Sequence, residues 1–336
     1  MDIIMLALKR PDEERKVKPD FNRRNQDRWV KPELKRTGTE RSAKPGASRF
    51  DSKIVGYTLV KKIGEGGQGK TEVVKRMSDN KILVRKEQKH FQMIITPEGK
   101  VPAEMYIFEN IIGPTSPYSI IKFDHCNYTS QGLQTLYFEY CENGDVDRLV
   151  GKGIGECHIW DCFTQVADAL AFLHYGHNRH SKTPPRGWQR VIHRDLKPAN
   201  VFIRQRVHPT DKWQFVLGDF GLATPEEETS GCGTGEWIGP EVPKMTAKGD
   251  VWSLGAIIHA ICHGYSPCDP PPKGWPGKSS NWYWMPQARN PKPLSSKYSD
   301  ALNNEMFHCL TADPDRRYSS RALTQSLEKA RRSTCY

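Results

Sequence analysis

Hydrophobic positions along the chain change their spacing before its midpoint. Up to about residue 55 no period is sustained, and Lys, Arg, Pro and Asp are frequent, which predicts a flexible arm. Short β-prone runs follow at Gly56–Val60, Thr71–Lys75 and Lys81–Lys86, with two further strands expected at Ser119–Asp124 and Leu133–Tyr140. Between the third and fourth runs, Ala103–Ile112 reads as a helix. From about residue 145 the pattern turns helical, and Ile159, Phe163, Val166, Leu170 and Leu173 fall at the 4-3-4-3 spacing of one buried face. Val251–Cys262 is apolar almost all round, which predicts a helix inside a lobe. Pro270–Pro293 must be mostly loop, and Ser299–Leu310 and Ser320–Lys329 read as closing helices. No internal repeat is visible. The expected fold class is α+β, a small β-sheet lobe with one helix followed by a larger, mainly α-helical lobe.

Bulk properties agree with such a domain plus an appendage. The chain has 336 residues, 37% of them hydrophobic, and a formal net charge of +11. Residues 1–50 carry 14 Lys or Arg against 8 Asp or Glu, so an acidic partner suits the arm. Only Phe21, Trp29 and Phe50 are aromatic there, and no nucleic-acid-binding fold is recognisable, which argues against nucleic acid as a partner. No apolar run is long enough to span a bilayer, and Met1–Leu8 is too short for a signal peptide. The nine cysteines include no Cys-x-x-Cys pair and are expected to be reduced thiols, in keeping with a cytoplasmic or nuclear protein, neither secreted nor transmembrane. His174, His177 and His180 lack a matching carboxylate or cysteine and are read as ordinary residues rather than metal ligands.

The chemistry-bearing runs come in a definite order. Gly64-Glu65-Gly66-Gly67-Gln68-Gly69 lies between two predicted strands, where missing Cβ atoms let backbone N–H groups approach phosphates. A strand–turn–strand setting argues against a dinucleotide fold. Lys86 closes the third strand and can reach phosphates. A carboxylate on the following helix would hold it; Glu109 competes, but Glu104 leaves Phe108 and Ile111 facing inward and is favoured on spacing. His193-Arg194-Asp195-Leu196-Lys197-Pro198-Ala199-Asn200 joins a carboxylate, a lysine and an amide, and Asp219-Phe220-Gly221 adds a second carboxylate. Together these offer a group to orient a hydroxyl, a cation to neutralise a transferred phosphoryl, and oxygen donors for a metal.

On these motifs the chain resembles the eukaryotic protein kinases over about residues 57–330. The resemblance implies a basic arm (1–55), a kinase domain (56–330, with lobes at about 56–141 and 142–330) and a short tail (331–336). It also implies ATP and Mg²⁺ as cofactors and proteins as substrates. Catalytic roles would fall to Asp195, Lys197, Lys86 and Glu104, and Mg²⁺ ligation to Asn200 and Asp219. Nucleotide contacts would come from Ile63, Gly64, Glu65, Gly66, Gly67, Gln68, Gly69, Lys70, Thr71 and Lys86. Glu139 and Cys141 would form the hinge behind the gatekeeper position Phe138, and Phe202 would lie beneath adenine. Asp250 would brace the catalytic loop, and Arg317 would pair with Glu241 of Gly239-Pro240-Glu241. Departures include Thr71 where valine is usual, Gln68 for the loop-tip aromatic, and an apparent inserted hairpin at Arg204–Gln214.

Pro198-Ala199-Asn200 and Gly233-Thr234 are similar to serine/threonine kinases, and Tyr140–Asp145 to the NimA-related group. Arg194 would bind a phosphorylated Thr229 or Ser230, unless Glu226-Glu227-Glu228 supplies the negative charge, and Thr234 would hydrogen-bond near Asp195 and Lys197. A pseudokinase scaffold is the alternative, but its signature is a lost lysine, base or metal ligand, and Lys86, Asp195, Asn200 and Asp219 are all present.

Overall fold

The structure, a computed structural model, describes residues 56–66, 69–97, 99–113, 116–129, 132–177, 187–204, 212–225 and 231–332. The expected arm, Gly67, Gln68, His180, Glu226–Ser230 and the last four residues lie outside the described residues.

The chain enters an antiparallel meander of β1 (Tyr57–Gly66), β2 (Gly69–Arg76) and β3 (Ile82–Gln88). A small hairpin follows, β4 (Met93–Thr96) and β5 (Gly99–Pro102), then helix α1 (Ala103–Tyr106), which continues as a π-helical stretch over Ile107–Ile112. Strands β6 (Phe123–Tyr128) and β7 (Gln134–Glu139) complete a five-stranded sheet in the order β1-β2-β3-β7-β6. Period-two alternation gives this sheet two faces. Val74, Leu83 and Tyr137 pack under Tyr57 on one, and Thr71, Val84 and Lys86 face the cleft on the other.

The C-terminal part is built on α2 (Glu156–Tyr175) and α3 (Ala247–His263), which are almost wholly buried. Between them lies the ribbon of β8 (Val201–Ile203) and β9 (Phe215–Leu217). The short α4 (Ser279–Trp282) precedes α5 (Asp300–Cys309) and α6 (Ser320–Arg332). Helix α6 runs two residues past the expected domain end at 330. Thr246 caps α3 by accepting from Gly249 N at 3.2 Å. Among the described residues no helix is long and apolar enough to cross a membrane, and the eight described cysteines are free thiols.

Two expectations need correction, and one element was missed. The strand expected at Ser119–Asp124 begins at Phe123, because buried Ile120 and Ile121 turn inward and bond to Leu217 of β9 instead. The helix expected at Ala103–Ile112 is α-helical only in its first turn; Gly113 N bonds back five residues to Phe108 O at 3.0 Å, the π pattern. The β4–β5 hairpin was not foreseen, since its strands are four residues long and Met93 and Ile95 lie exposed, so no buried face marks it.

The Pro270–Pro293 stretch is a clasped loop. Asn290 N bonds to Pro267 O and Asp269 N to Ala288 O, each at 2.8 Å. Beneath this neck the ring of buried His259 takes Lys292 N at 3.1 Å and meets Tyr265 O at 3.2 Å.

Candidate active site

A cleft of about 480 Å³ opens between the five-stranded sheet and the helical lobe. Ile63, Gly64 and Thr71 line its roof and Phe202 its floor. Glu139 and Cys141 stand at its back, while Lys86, Glu104, Asn200 and Asp219 converge at one end. This size suits a nucleotide-sized molecule.

The converging end is polar and tightly paired. Lys86 Nζ lies 2.9 and 3.0 Å from the two carboxylate oxygens of Glu104 and 2.7 Å from Asp219 Oδ1. Burial opposes a charged amine there, but the two carboxylates outweigh it and hold the Lys86 pKa above its ordinary value. Burial likewise pushes Asp219 upward, and Lys86 overcomes it, so that the carboxyl titrates below its usual range. Glu104 has only 2% of its side chain exposed, whereas Asp219 keeps 42% open. Glu104 is thus a buried anchor and Asp219 a group that can meet a ligand. Glu109, the competing carboxylate, instead accepts from Cys126 Sγ at 3.2 Å.

Asp195 sits in a second cluster. Its Oδ2 accepts from Lys197 Nζ at 2.8 Å and from Asn200 Nδ2 at 3.2 Å, and its Oδ1 accepts from Thr234 Oγ1 at 2.8 Å. Asn200 Nδ2 also donates to Asp195 O at 2.7 Å, which fixes the amide and leaves its Oδ1 for another partner. An amide oxygen and an open carboxylate are hard donors that fit Mg²⁺ held jointly with phosphate oxygens. Among the described residues no three His, Cys, Asp or Glu side chains form a metal cluster. His174 bonds instead to Asp250 Oδ2 and Ser320 Oγ, both at 2.9 Å.

Asp250 holds the segment that carries Asp195. Its carboxylate accepts the backbone N–H of His193 at 2.8 Å and of Arg194 at 3.0 Å. Burial alone would raise its pKa, but the bond from His174 and these donors bring it below the ordinary value. The grip secures Arg194 at φ +66°, and Asp219 stands at φ +57°, a left-handed geometry that costs a non-glycine residue about 1 kcal/mol or more. An aromatic column joins the two lobes behind these groups. Phe108 meets Phe220 at 4.9 Å, and Phe220 meets His193 at 5.0 Å, while His193 Nε2 reaches Gly218 O at 3.0 Å.

Not every expected contact residue lines the cleft. Strand alternation sends the Glu65/Lys70 pair to the side opposite the Gly64/Thr71 pair. Lys70 accordingly binds Glu87 at 3.2 Å, and Glu65 lies 3.6 Å from Lys62. Gly69, at φ +150°, allows β2 to pass so close to Glu87 O that a Cβ would overlap it. The Glu139 carboxylate is taken by Arg204, whose Nη2 lies at 2.6 Å and Nε at 2.9 Å, so only its backbone is left for the cleft. Arg204 stands at the base of the expected hairpin, its N–H bonding to Gln214 O at 2.9 Å, with residues 205–211 outside the described ones; its buried side chain also ties to Glu139 and to the carbonyls of Tyr118 and Ile120. Arg194 donates to Leu222 O at 2.7 Å and to Gln92 Oε1 at 2.6 Å. Its expected phosphorylated partners fall outside the described residues. Sequence reading missed Val84, Ile121, Asp145, Arg148 and Ala199 in the lining. Val84 was accessible, lying two residues from Lys86 on the same strand face.

Comparison with known proteins agrees with this geometry. Residues 57–327 match the protein kinase domain family. The chain is 32% identical over 291 residues to the G2-specific protein kinase nim-1 of Neurospora crassa, covering 78% of this chain and 32% of that protein. It is 30% identical over 292 residues to the G2-specific protein kinase nimA of Emericella nidulans, covering 78% and 39% respectively. With the serine/threonine-protein kinase Nek2 of Mus musculus it shares 32% over 227 residues, 63% of this chain and 47% of that one. The chain therefore spans between 32% and 47% of the length of these relatives. It belongs to the protein kinase domain family and is related to the NimA-type serine/threonine kinases.

Proposed function

We propose that this chain is a serine/threonine protein kinase that transfers the γ-phosphoryl group of ATP to protein hydroxyls with Mg²⁺. The observation that carries the proposal is the convergence of Lys86, Glu104 and Asp219 within 3.0 Å at the cleft end, next to Asn200, which bonds Asp195. Phosphoryl transfer asks a protein mainly to position reactants and offset negative charge. Lys86, oriented by Glu104, binds phosphate oxygens. Asp195 orients the acceptor hydroxyl and takes up its proton, and Lys197 neutralises charge on the moving phosphoryl group. Asn200 and Asp219 would hold Mg²⁺, which when bound offsets charge between the phosphates. Thr71 and Val84 above and Phe202 below form the apolar slot for the base, with the backbone of Glu139 and Cys141 at its edge.

Incubation with labelled ATP, Mg²⁺ and a generic protein substrate should label serine and threonine. Asp195→Asn should lower kcat by roughly 10²–10⁴-fold, the range for loss of a general base, while the KM for ATP changes little. Label transfer undiminished in Asp195→Asn would remove the proposal.

A further inference from the structure

The Pro270–Pro293 loop reaches the loop that carries Thr234. The indole of Trp284 lies across two glycines there. Its Cζ3 is 3.2 Å from where a Cβ on Gly231 would stand, and its Nε1 is 3.2 Å from the corresponding point on Gly235. The indole is half-buried, and its N–H has no partner among the described residues. Between those glycines the chain carries only Cys232, Gly233 and Thr234, all small residues.

Arg289 locks this arrangement. Its guanidinium donates to Gly235 O and Ile238 O at 3.0 Å, and to Tyr283 O and Met285 O at 2.7 Å. Four carbonyls from two segments are thus tied to one cation. Trp282 is buried and donates to Asp269 O at 2.7 Å, and Trp275 meets it edge-on at 5.1 Å. The wall is therefore set on a rigid base rather than on a loose loop.

Distance makes the wall relevant to substrate. Thr234 Oγ1 touches Asp195 Oδ1 at 2.8 Å, and Gly235, the next residue, is the one Trp284 covers. Consecutive Cα atoms are about 3.8 Å apart, so a peptide whose hydroxyl meets Asp195 places a neighbouring side chain at the scale of that indole. We propose that Trp284 is a specificity-determining residue, an aromatic wall that selects acceptor peptides with an apolar side chain directly flanking the phosphorylated hydroxyl. The cation of Arg289 behind the wall disfavours a basic residue there. Glu236 is the opposing influence, a half-buried carboxylate whose pKa is raised by burial.

The inference rests on the kinase reading, and its test separates the two. A peptide library varied on both sides of a fixed serine is phosphorylated by the wild type, Trp284→Ala and Trp284→Phe. Expected is a wild-type preference for apolar residues at one flanking position. Trp284→Ala should raise the KM of the preferred peptide about tenfold, the equivalent of 1.4 kcal/mol, and flatten that position, with kcat nearly unchanged. Trp284→Phe should restore the preference, and both variants should keep the wild-type thermal shift with MgATP. An unaltered preference in Trp284→Ala, or selection of a basic residue through Glu236, overturns the inference while leaving the kinase reading intact. Loss of the MgATP shift in both variants assigns Trp284 a purely structural role and also overturns it. No phosphorylation of any peptide by the wild type removes the kinase reading, and this inference with it.

Discussion

Acid should loosen this protein through one buried ring. His259 is fully buried, and its neutral form satisfies both ring nitrogens, with Nδ1–H facing Tyr265 O and Nε2 accepting from Lys292 N. A second proton at Nε2 would point at an N–H donor. The His263 ring lies 4.2 Å away, and Lys292 adds a further positive charge. Burial first, and these neighbours second, lower the His259 pKa to about 4 from 6.5. In the unfolded chain the ring takes up its proton near its ordinary value of 6.5, so between the two values the unfolded state binds more protons. The stabilisation is complete above the unfolded value and is lost as pH falls towards the folded one. From those values the loss is about 2 kcal/mol at pH 5 and about 3 kcal/mol at pH 4. Urea unfolding followed by tryptophan fluorescence, at pH 7.5 and pH 5, measures it (~1.36 kcal/mol per pKa unit). His259→Gln keeps a donor and an acceptor but cannot titrate, so its stability should fall by about 2 kcal/mol less over that interval. Parallel curves for the two proteins would refute the reasoning, as would a titration of His259 above pH 6 in the folded state.

The remaining predictions concern packing. A Cβ on Gly218 would lie 2.7 Å from Phe202 Cε2, so Gly218→Ala should destabilise by about 1–3 kcal/mol and weaken ATP binding, whereas adding Phe202→Leu should recover most of both. Thermal melts with and without MgATP read this, and no recovery in the double variant would exclude the ring as the cause. Arg317 and Glu241 form a bidentate buried pair at 2.6 and 2.9 Å, so Glu241→Ala should cost about 3–5 kcal/mol in urea unfolding. A cost below 1 kcal/mol would show that the carbonyls of Thr311, Lys248 and Ala312 suffice for the guanidinium.

The motifs that stand close together in the chain were legible because short segments fix their own geometry. Asp195, Lys197 and Asn200 share one turn, and their mutual bonds need little beyond that turn and Asp250. The long helices were legible for a related reason: α2 and α3 bury most of their surface, so the hydrophobic pattern and the element coincide. What stayed hidden depends on partners remote in sequence. Arg204 looks like any basic loop residue until the fold brings it to Glu139, 65 positions away. Gln92 carries no signal at all, and its role arises from a contact with Arg194 across 102 positions. The β4–β5 hairpin failed for the opposite reason, having too little buried surface to imprint a period. Lys70 shows that a motif gives residue identity without direction, because alternation decides which side chains of a glycine-rich hairpin face the cleft.

The ties across the cleft differ in what they demand of the two lobes. Lys86 meets Asp219 at 2.7 Å through an exposed carboxylate, a contact that phosphate oxygens or a metal ion can replace. Arg204–Glu139 and Arg194–Gln92 are made by arginines only 7% and 3% exposed; breaking the first removes the carboxylate from a buried guanidinium, while breaking the second leaves Arg194 its bond to Leu222 O. The column Phe108–Phe220–His193 adds contacts worth about 0.5–1.5 kcal/mol each, which vanish once the rings separate. Gln92 links two of these systems, because its side chain holds Arg194 while its carbonyl accepts Ala103 N at 2.8 Å, at the start of the helix bearing Glu104. Displacing that helix therefore pulls on the segment carrying Asp195 as well as on Lys86. The replaceable tie is the exposed one and the buried ties are costlier to break, so the two lobes stay joined when the Lys86–Asp219 contact is exchanged.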